Sequence, residues 1–178
     1  MAIVVAFASL KIRSGTLNED MTMSLIFRML YVYIFSFFRE KLPLGPCTST
    51  LNLITLPNDL DINLHMNNGR FLTICDLNRV DMFIRTGLIK VMFKEKWMPI
   101  IAEHTMTYKK PLSVFSKFTV SMHLESSDEK YFYMTHEFKR GDKLIAHGTS
   151  KAVIKGREGI VPPDIVIEKV TNYREKFK

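Results

Sequence analysis

The sequence of 178 residues predicts an α+β fold in which an antiparallel β-sheet wraps around one long central α-helix. Two observations predict it. Apolar residues recur with a helical period between residues 68 and 87, whereas the later segments alternate apolar and polar residues with a period of two. An antiparallel sheet with one apolar face must cover that face, and this helix is the long apolar segment available to do so.

The predicted central helix has recognisable ends. Asn67 and Asn68 are good N-cap residues, and Gly87 is a plausible stop. The apolar positions between them form a broad stripe: Phe71, Ile74, Cys75, Leu77, Met82, Phe83 and Ile84. A second short helical piece over 88–96 is predicted to follow.

Five strands complete the predicted fold. One precedes the helix, at about 48–57, and one follows it, at about 100–110. Two alternating runs then start near 118 and 132, and a strand over 143–155 ends the series. Gly141 and Asp142 separate the last two runs as a two-residue hairpin turn.

Pro43, Gly45 and Pro46 mark a linker before a single domain over 48–160. We expect residues 1–22 to be an extension that does not fold, 23–47 an apolar helix with its linker, and 161–178 a tail. The apolar run 24–38 is shorter than the roughly 20 residues that span a bilayer. Three interpretations stay open: packing on the domain or a second subunit, peripheral contact with a membrane, and a true span.

The net charge of +7 and pI near 9.4 favour anionic partners, among them nucleic acid, an anionic membrane and the phosphates of coenzyme A. Charge alone does not choose among them, but no nucleic-acid recognition motif is present. Cys47 and Cys75 lack metal-ligand spacing and predict reduced thiols in a cytoplasmic protein. No pair of histidines has clear metal spacing either, so we predict no metal.

The segment 58–69 carries the candidate chemistry, because an acid, an imidazole and amides precede a helix N-terminus. Asp61 is a candidate base or nucleophile, His65 can polarise a carbonyl, and Asn63 can fix a water molecule or orient the imidazole. N–H groups near Asn68 and Gly69 can hold an oxyanion. The structural alternative is that these are ordinary loop and cap residues.

Residues 58–68, read as N-D-L-D-x-N-x-H-M-N-N, resemble the signature of the hotdog thioesterase superfamily. The closest resemblance is to the bacterial acyl-CoA thioesterase branch related to 4-hydroxybenzoyl-CoA thioesterase. The pattern is also similar to the D-x-N-x-H-x-N-N element of plant acyl-ACP thioesterases. The resemblance extends over about 23–165, including Gly69-Arg70-Phe71 and the 108–112 segment.

The resemblance implies a hotdog thioesterase domain that acts on acyl-CoA or acyl-ACP, with coenzyme A entering only as part of the substrate. It implies Asp61 as the catalytic carboxylate, with Asn63 and His65. We further expect substrate binding by Asn67, Asn68, Gly69, Tyr108 and Lys109. The acyl-ACP enzymes carry a further acid where this chain has Pro111, and Asp76 and Asp81 on the helix are interpreted as surface charges. A homodimer or dimer-based tetramer is also implied.

Two other functions compete with thioester hydrolysis. A hotdog enoyl-CoA hydratase or dehydratase has a D-x-N-P-x-H pattern, whereas here His65 is four residues after Asp61 and no proline intervenes. A non-catalytic lipid-binding module is suggested by the basic charge and the 24–38 run. The strand histidines, including His136 and His147, are interpreted as hydrogen-bonded core or interface residues.

Overall fold

The computed structural model describes residues 16–43 and 45–176. Its helices are α1 (Thr16–Ser36), α2 (Asn68–Thr86), α3 (Leu88–Glu95) and α4 (Pro163–Lys176). Its strands are β1 (Cys47–Ile54), β2 (Met98–Tyr108), β3 (Lys117–Ser127), β4 (Phe132–Arg140), β5 (Lys143–Lys155) and β6 (Ile160–Val161). The predicted order of a strand, a long helix and four further strands is confirmed.

All strands pair antiparallel, in the order β1-β3-β4-β5-β2, and the short β6 pairs with the end of β5. The β4–β5 hairpin turns at Gly141, whose φ of 57° lies in the left-handed region that glycine adopts without steric cost. The predicted hairpin is therefore confirmed, and β1 and β2 form the two ends of the sheet.

The central helix α2 packs its apolar stripe against the sheet. Asn67 caps its first turn, since its side chain accepts the N–H of Gly69, and Gly87 ends it with a φ of 82°. The main core joins α2 to four strands through Phe71, Ile74, Leu77, Val80, Leu51, Phe118, Val120, Phe138 and Ile145. The predicted helix thus has the predicted boundaries and the predicted covering role.

The N-terminal helix α1 closes the β1 edge of the sheet. The guanidinium of Arg28 donates to the carbonyl oxygen of Ile54 at 2.6 Å, and that of Arg39 donates to the carbonyl oxygen of Thr50 at 2.8 Å. Because these carbonyls point away from β3, the arginines satisfy acceptors that an edge strand leaves open. Within the described chain, β2 at the opposite end has no strand on its outer side.

The interpretation of Asp81 as a surface charge is wrong. Its carboxylate is fully buried between α1, α2 and β1, and accepts hydrogen bonds from Ser36 and Ser49 at 2.7 and 2.6 Å. Arg39 and Arg85 neutralise it at 2.8 and 3.0 Å. The helical pattern alone could not reveal this, because Ser36 at the end of α1, Arg39 in the segment after it and Ser49 of β1 all lie outside α2.

Both terminal segments differ from the sequence-based expectation. The predicted extension 1–22 overlaps α1, which begins at Thr16, while residues 1–15 lie outside the described residues. The predicted tail 161–178 contains α4, which buries Val166 and Val170. Among the described residues, no helix combines the length and the apolar character needed to cross a bilayer.

Candidate active site

Asp61 and His65 are the two ends of one tight turn. The N–H of Asp61 donates to the carbonyl oxygen of His65 at 2.8 Å, and the N–H of Leu64 donates back to the carbonyl oxygen of Asp61 at 3.0 Å. Leu64 has a φ of 58°, which is strained for a residue with a branched side chain. The N–H of Asn63 also donates to Oδ1 of Asp61 at 2.8 Å, so the turn itself orients the carboxylate.

Asp59 anchors this loop to the body of the protein. Its buried carboxylate accepts both Nη atoms of Arg28, at 3.0 and 2.7 Å, and Nε of Arg70 at 3.1 Å. The N–H of Leu56 donates to the same carboxylate at 2.8 Å, and the Asp59 carbonyl oxygen accepts the N–H of Asn67 at 2.8 Å. Asp59 therefore fixes where the loop enters α2.

The start of α2 supplies the candidate oxyanion donor. The N–H of Gly69 donates to Oδ1 of Asn67 at 2.8 Å, and the N–H of Arg70 donates to the Asn67 carbonyl oxygen at 2.9 Å. The cap thus uses the N–H of Gly69, and the contact of Gly69 with substrate stays a prediction. The N–H of Asn68 stands at the first helical position, which has no intrahelical acceptor and lies at the positive end of the helix dipole.

An open cleft of about 300 Å³ joins the turn to the end of β2. The hydroxyl of Tyr108 donates to the carbonyl oxygen of Asn68 at 3.0 Å, which ties β2 to the helix start. The Phe71 ring packs edge-on against the Tyr108 and Phe138 rings, with centroids 5.2 and 4.9 Å apart. The cleft is lined by Asp61, Asn63, His65, Met66, Asn68, Phe71, Tyr108, Lys109, Lys110 and Pro111.

Six of the eight predicted site residues line this cleft, and Asn67 and Gly69 line a neighbouring depression instead. Among the described residues, no carboxylate other than that of Asp61 lines the cleft, and Pro111 forms part of its wall. Phe71 also lines the cleft, although its apolar character and its place on the helical stripe predicted only a core role.

A second polar cluster lies deeper in the fold, where Arg79 of α2 meets His104 of β2 and His136 of β4. Burial, with the guanidinium of Arg79, lowers the pKa of His104 to about 4 and that of His136 to about 3, so both rings are neutral. His136 is hydrogen-bonded to Ser150 at 2.8 Å, as predicted for a core histidine. His147 is exposed in the single chain, so it is not a core residue, and its interpretation as an interface residue stays a prediction.

Cys75, His104 and His136 place potential metal ligands within 4.8 Å of one another. These three side chains suit a hydrogen-bond acceptor better than a metal cation. An Nη of Arg79 contacts Nδ1 of His104 at 3.4 Å and is always a donor, so the neutral ring carries its proton on Nε2. Burial also raises the pKa of the Cys75 thiol to about 12, which keeps it protonated and unsuited to nucleophilic attack.

The fold and the loop define a protein of the hotdog thioesterase class, and comparison with known proteins agrees. Residues 55–168 match the model of the Thioesterase-like superfamily, and the chain belongs to that family. Protein THEM6 of Xenopus laevis is 31% identical over 117 residues, which cover 65% of this chain and 55% of that protein. The chain spans about half the length of the curated relatives it matches.

Solved structures share the fold. The probable thioesterase YbaW from Escherichia coli superposes with a TM-score of 0.64 at 15% identity, over 68% of this chain and 96% of that one. The BH1999 gentisyl-coenzyme A thioesterase superposes with a TM-score of 0.59 at 18% identity, over 64% and 94%. At these identities the likeness establishes the fold alone.

Proposed function

We propose that this protein hydrolyses acyl thioesters of coenzyme A or acyl carrier protein, with Asp61 and His65 at the reacting carbonyl. One observation carries the proposal: the backbone bond between Asp61 and His65 holds a carboxylate and an imidazole in the same cleft as the first turn of a buried helix. Thioester hydrolysis needs these two parts, a group that activates the attacking oxygen and donors that hold the oxyanion.

With Asp61 as general base, the carboxylate takes a proton from water and the new C–O bond forms at the thioester carbon. The N–H of Asn68 and the imidazole of His65 hold the negative oxygen of the tetrahedral intermediate. The C–S bond then breaks, and the leaving thiolate takes up a proton as the free acid forms. Direct attack by Asp61 would instead give an acyl-aspartyl intermediate that water cleaves; both routes need the same carboxylate.

The mouth of the cleft favours a phosphate-bearing carrier. Lys109 and Lys110 are exposed beside it, while their backbone N–H groups are held by the Ile145 carbonyl oxygen at 2.8 and 3.1 Å. A fixed backbone with two free ammonium groups suits anionic phosphates. The structurally similar BH1999 protein is a coenzyme A thioesterase, which supports the same choice of substrate.

Thiol release from a panel of acyl-CoA and acyl-ACP substrates tests the proposal. We expect the unaltered chain to release thiol from at least one of them and Asp61→Asn to lose that activity by a hundredfold or more. Asp142→Asn is the matched control, because Asp142 is exposed in a hairpin turn that also accepts asparagine. Tight binding without release by the unaltered chain would favour a lipid-binding module instead.

We also propose that two copies pair through β2, the open end of the sheet, which would remove its unpaired edge and enclose the exposed cleft. Light scattering should then give twice the 20.7 kDa mass of one chain, or a multiple of that dimer. A strictly monomeric chain would contradict this assembly without bearing on the chemistry of Asp61.

A further inference from the structure

Among the residues that the structure describes, no other helix or strand covers the large apolar side chains on the outer face of α1, where the rings of Tyr31 and Phe35 contact each other. Residues at 26, 27, 30, 31, 34 and 35 share one helical face, which the loop after the helix extends. The exposed side chains are Ile26, Phe27, Leu30, Tyr31, Ile34, Phe35, Phe37 and Phe38. About half-exposed on average, they present on the order of 700 Å², above the largest apolar patch of a typical monomer.

This face is held outward by a rigid inner face. Arg28 and Arg39 point inward to Asp59 and Asp81, and Val32 and Ser36 are buried beneath the helix. Over residues 25–38, Arg28 is the only charged residue, so the outer face there has no charge. Rotating the helix to hide its aromatic rings would break the ion pair of Arg28 with the buried carboxylate of Asp59, a change that costs several kcal/mol.

The apolar surface continues toward the mouth of the cleft. Ile54, whose carbonyl binds Arg28, pairs with Lys117, and the N–H of the exposed Phe115 donates to the neighbouring Thr55 carbonyl oxygen at 2.8 Å. At the tip of the turn between Asp61 and His65, Ile62 is 97% exposed and Leu64 is 72% exposed. Basic residues border these apolar groups, since Lys117 pairs with Ile54, and Lys109 and Lys110 line the cleft that the turn forms.

A second copy is not the partner that this surface fits. The free sheet edge for pairing is β2, four strand spacings or about 19 Å from β1 along the sheet. A dimer formed there leaves α1 exposed on both subunits. Apolar side chains bordered by lysines match an anionic bilayer, whose headgroups attract the lysines while its acyl region takes up the rings.

We propose that the outer face of α1, together with the tips at 62–64 and 114–115, docks on an anionic membrane surface. Docking there places the mouth of the cleft at the bilayer interface. Amphiphilic acyl thioesters partition into that interface, so the protein would meet its substrates at the membrane.

Flotation of the full chain with lipid vesicles tests the docking without using activity, so its outcome is independent of the proposed function. The two vesicle types are pure phosphatidylcholine and a mixture with 30% phosphatidylserine, a composition chosen for the test. We expect the chain to float with the mixed vesicles and to bind pure phosphatidylcholine at least several-fold more weakly. The double variant Phe27→Gln/Phe35→Gln should lose at least tenfold in partitioning. Its unfolding midpoint should be unchanged, because these rings are 63% and 52% exposed.

Two further variants complete the test. Phe93→Gln removes an exposed ring from α3 and should float like the unaltered chain. Phe38→Gln, 84% exposed and beyond the end of α1, should weaken binding several-fold without any effect on the helix. No binding by the unaltered chain, equal binding to both vesicles, or unchanged binding by the double variant would each overturn the proposal. A fall in oligomeric mass caused by the double variant would assign the face to a second copy and overturn it as well.

Discussion

Asp59 and Asp61 lie two residues apart, yet the first is buried against Arg28 and Arg70 while the second lines the open cleft. The side chains of the two acids therefore do different work. Asp59 holds the loop in place through ion pairs and a backbone bond to Asn67, and the turn that ends at His65 presents Asp61 to the open cleft.

Asp59→Asn should cost about 3–5 kcal/mol of unfolding free energy, because it leaves two buried guanidinium groups without their shared anion. Asp61→Asn should change that free energy by less than about 1 kcal/mol, since its carboxylate accepts a single local N–H. Urea unfolding of both variants measures the difference. Equal losses of unfolding free energy in the two variants would show that Asp59 does not anchor the loop any more than Asp61 does.

The Tyr108 hydroxyl positions the start of α2 through the Asn68 carbonyl oxygen. Tyr108→Phe removes this bond, worth about 0.5–1.5 kcal/mol, so kcat/KM should fall two- to tenfold. Tyr133→Phe is the control, because the Tyr133 hydroxyl donates to Asp128 in the β3–β4 loop. Steady-state kinetics on the preferred substrate gives the comparison; equal effects of the two variants would remove Tyr108 from the positioning role.

The neutral His136 makes stability depend on pH. Its pKa is about 3 in the folded protein and about 6.5 when unfolded, so below pH 6.5 the unfolded chain binds a proton that the folded chain excludes. Stability is therefore present above pH 6.5 and lost as the pH falls, by about 2 kcal/mol between pH 6.5 and 5 for this residue. Denaturant unfolding at both pH values should show a smaller loss in His136→Gln.

The exposed His147 supplies the control for this experiment, and His147→Gln should keep the full pH dependence of the unaltered chain. The pKa of His104 is lowered in the folded protein as well, so His104 also makes the protein less stable as the pH falls. If His136→Gln has the same pH dependence as the unaltered chain, then His136 is not a buried neutral group.

Asp81 and Asp76 provide a second matched pair on α2. Asp81→Asn should cost about 2–4 kcal/mol, because a fully buried carboxylate with two arginine partners loses its charge. Asp76→Asn should cost less, about 1–2 kcal/mol, because its side chain is 39% exposed and loses one partner, the buried Arg79. Thermal unfolding of the two variants measures which stability loss is larger. If Asp81 were exposed, Asp81→Asn would cost no more than Asp76→Asn.

The sequence predicted what depends on local pattern. The limits of α2 followed from the Asn67 cap and the Gly87 stop, and the β4–β5 hairpin from Gly141 and Asp142. Asp81 was misjudged because its partners Ser36 and Arg39 lie at the end of α1 and just beyond it, more than forty residues away in the chain. The Asn67 cap on the Gly69 N–H also follows from local pattern, since an Asn before a helix is a common cap.

The most direct test of the central claim is a double-mutant cycle of kcat/KM on the preferred thioester, using Asp61→Asn, His65→Gln and both together. The effects of mutating two groups that act on the same transition state are not additive. The kcat/KM of each single variant should be at least about a hundredfold below that of the unaltered chain. The kcat/KM of the double variant should be no more than about tenfold below that of the less active single variant. A kcat/KM within twofold of that of the unaltered chain in either single variant would contradict the role of Asp61 and His65 in hydrolysis.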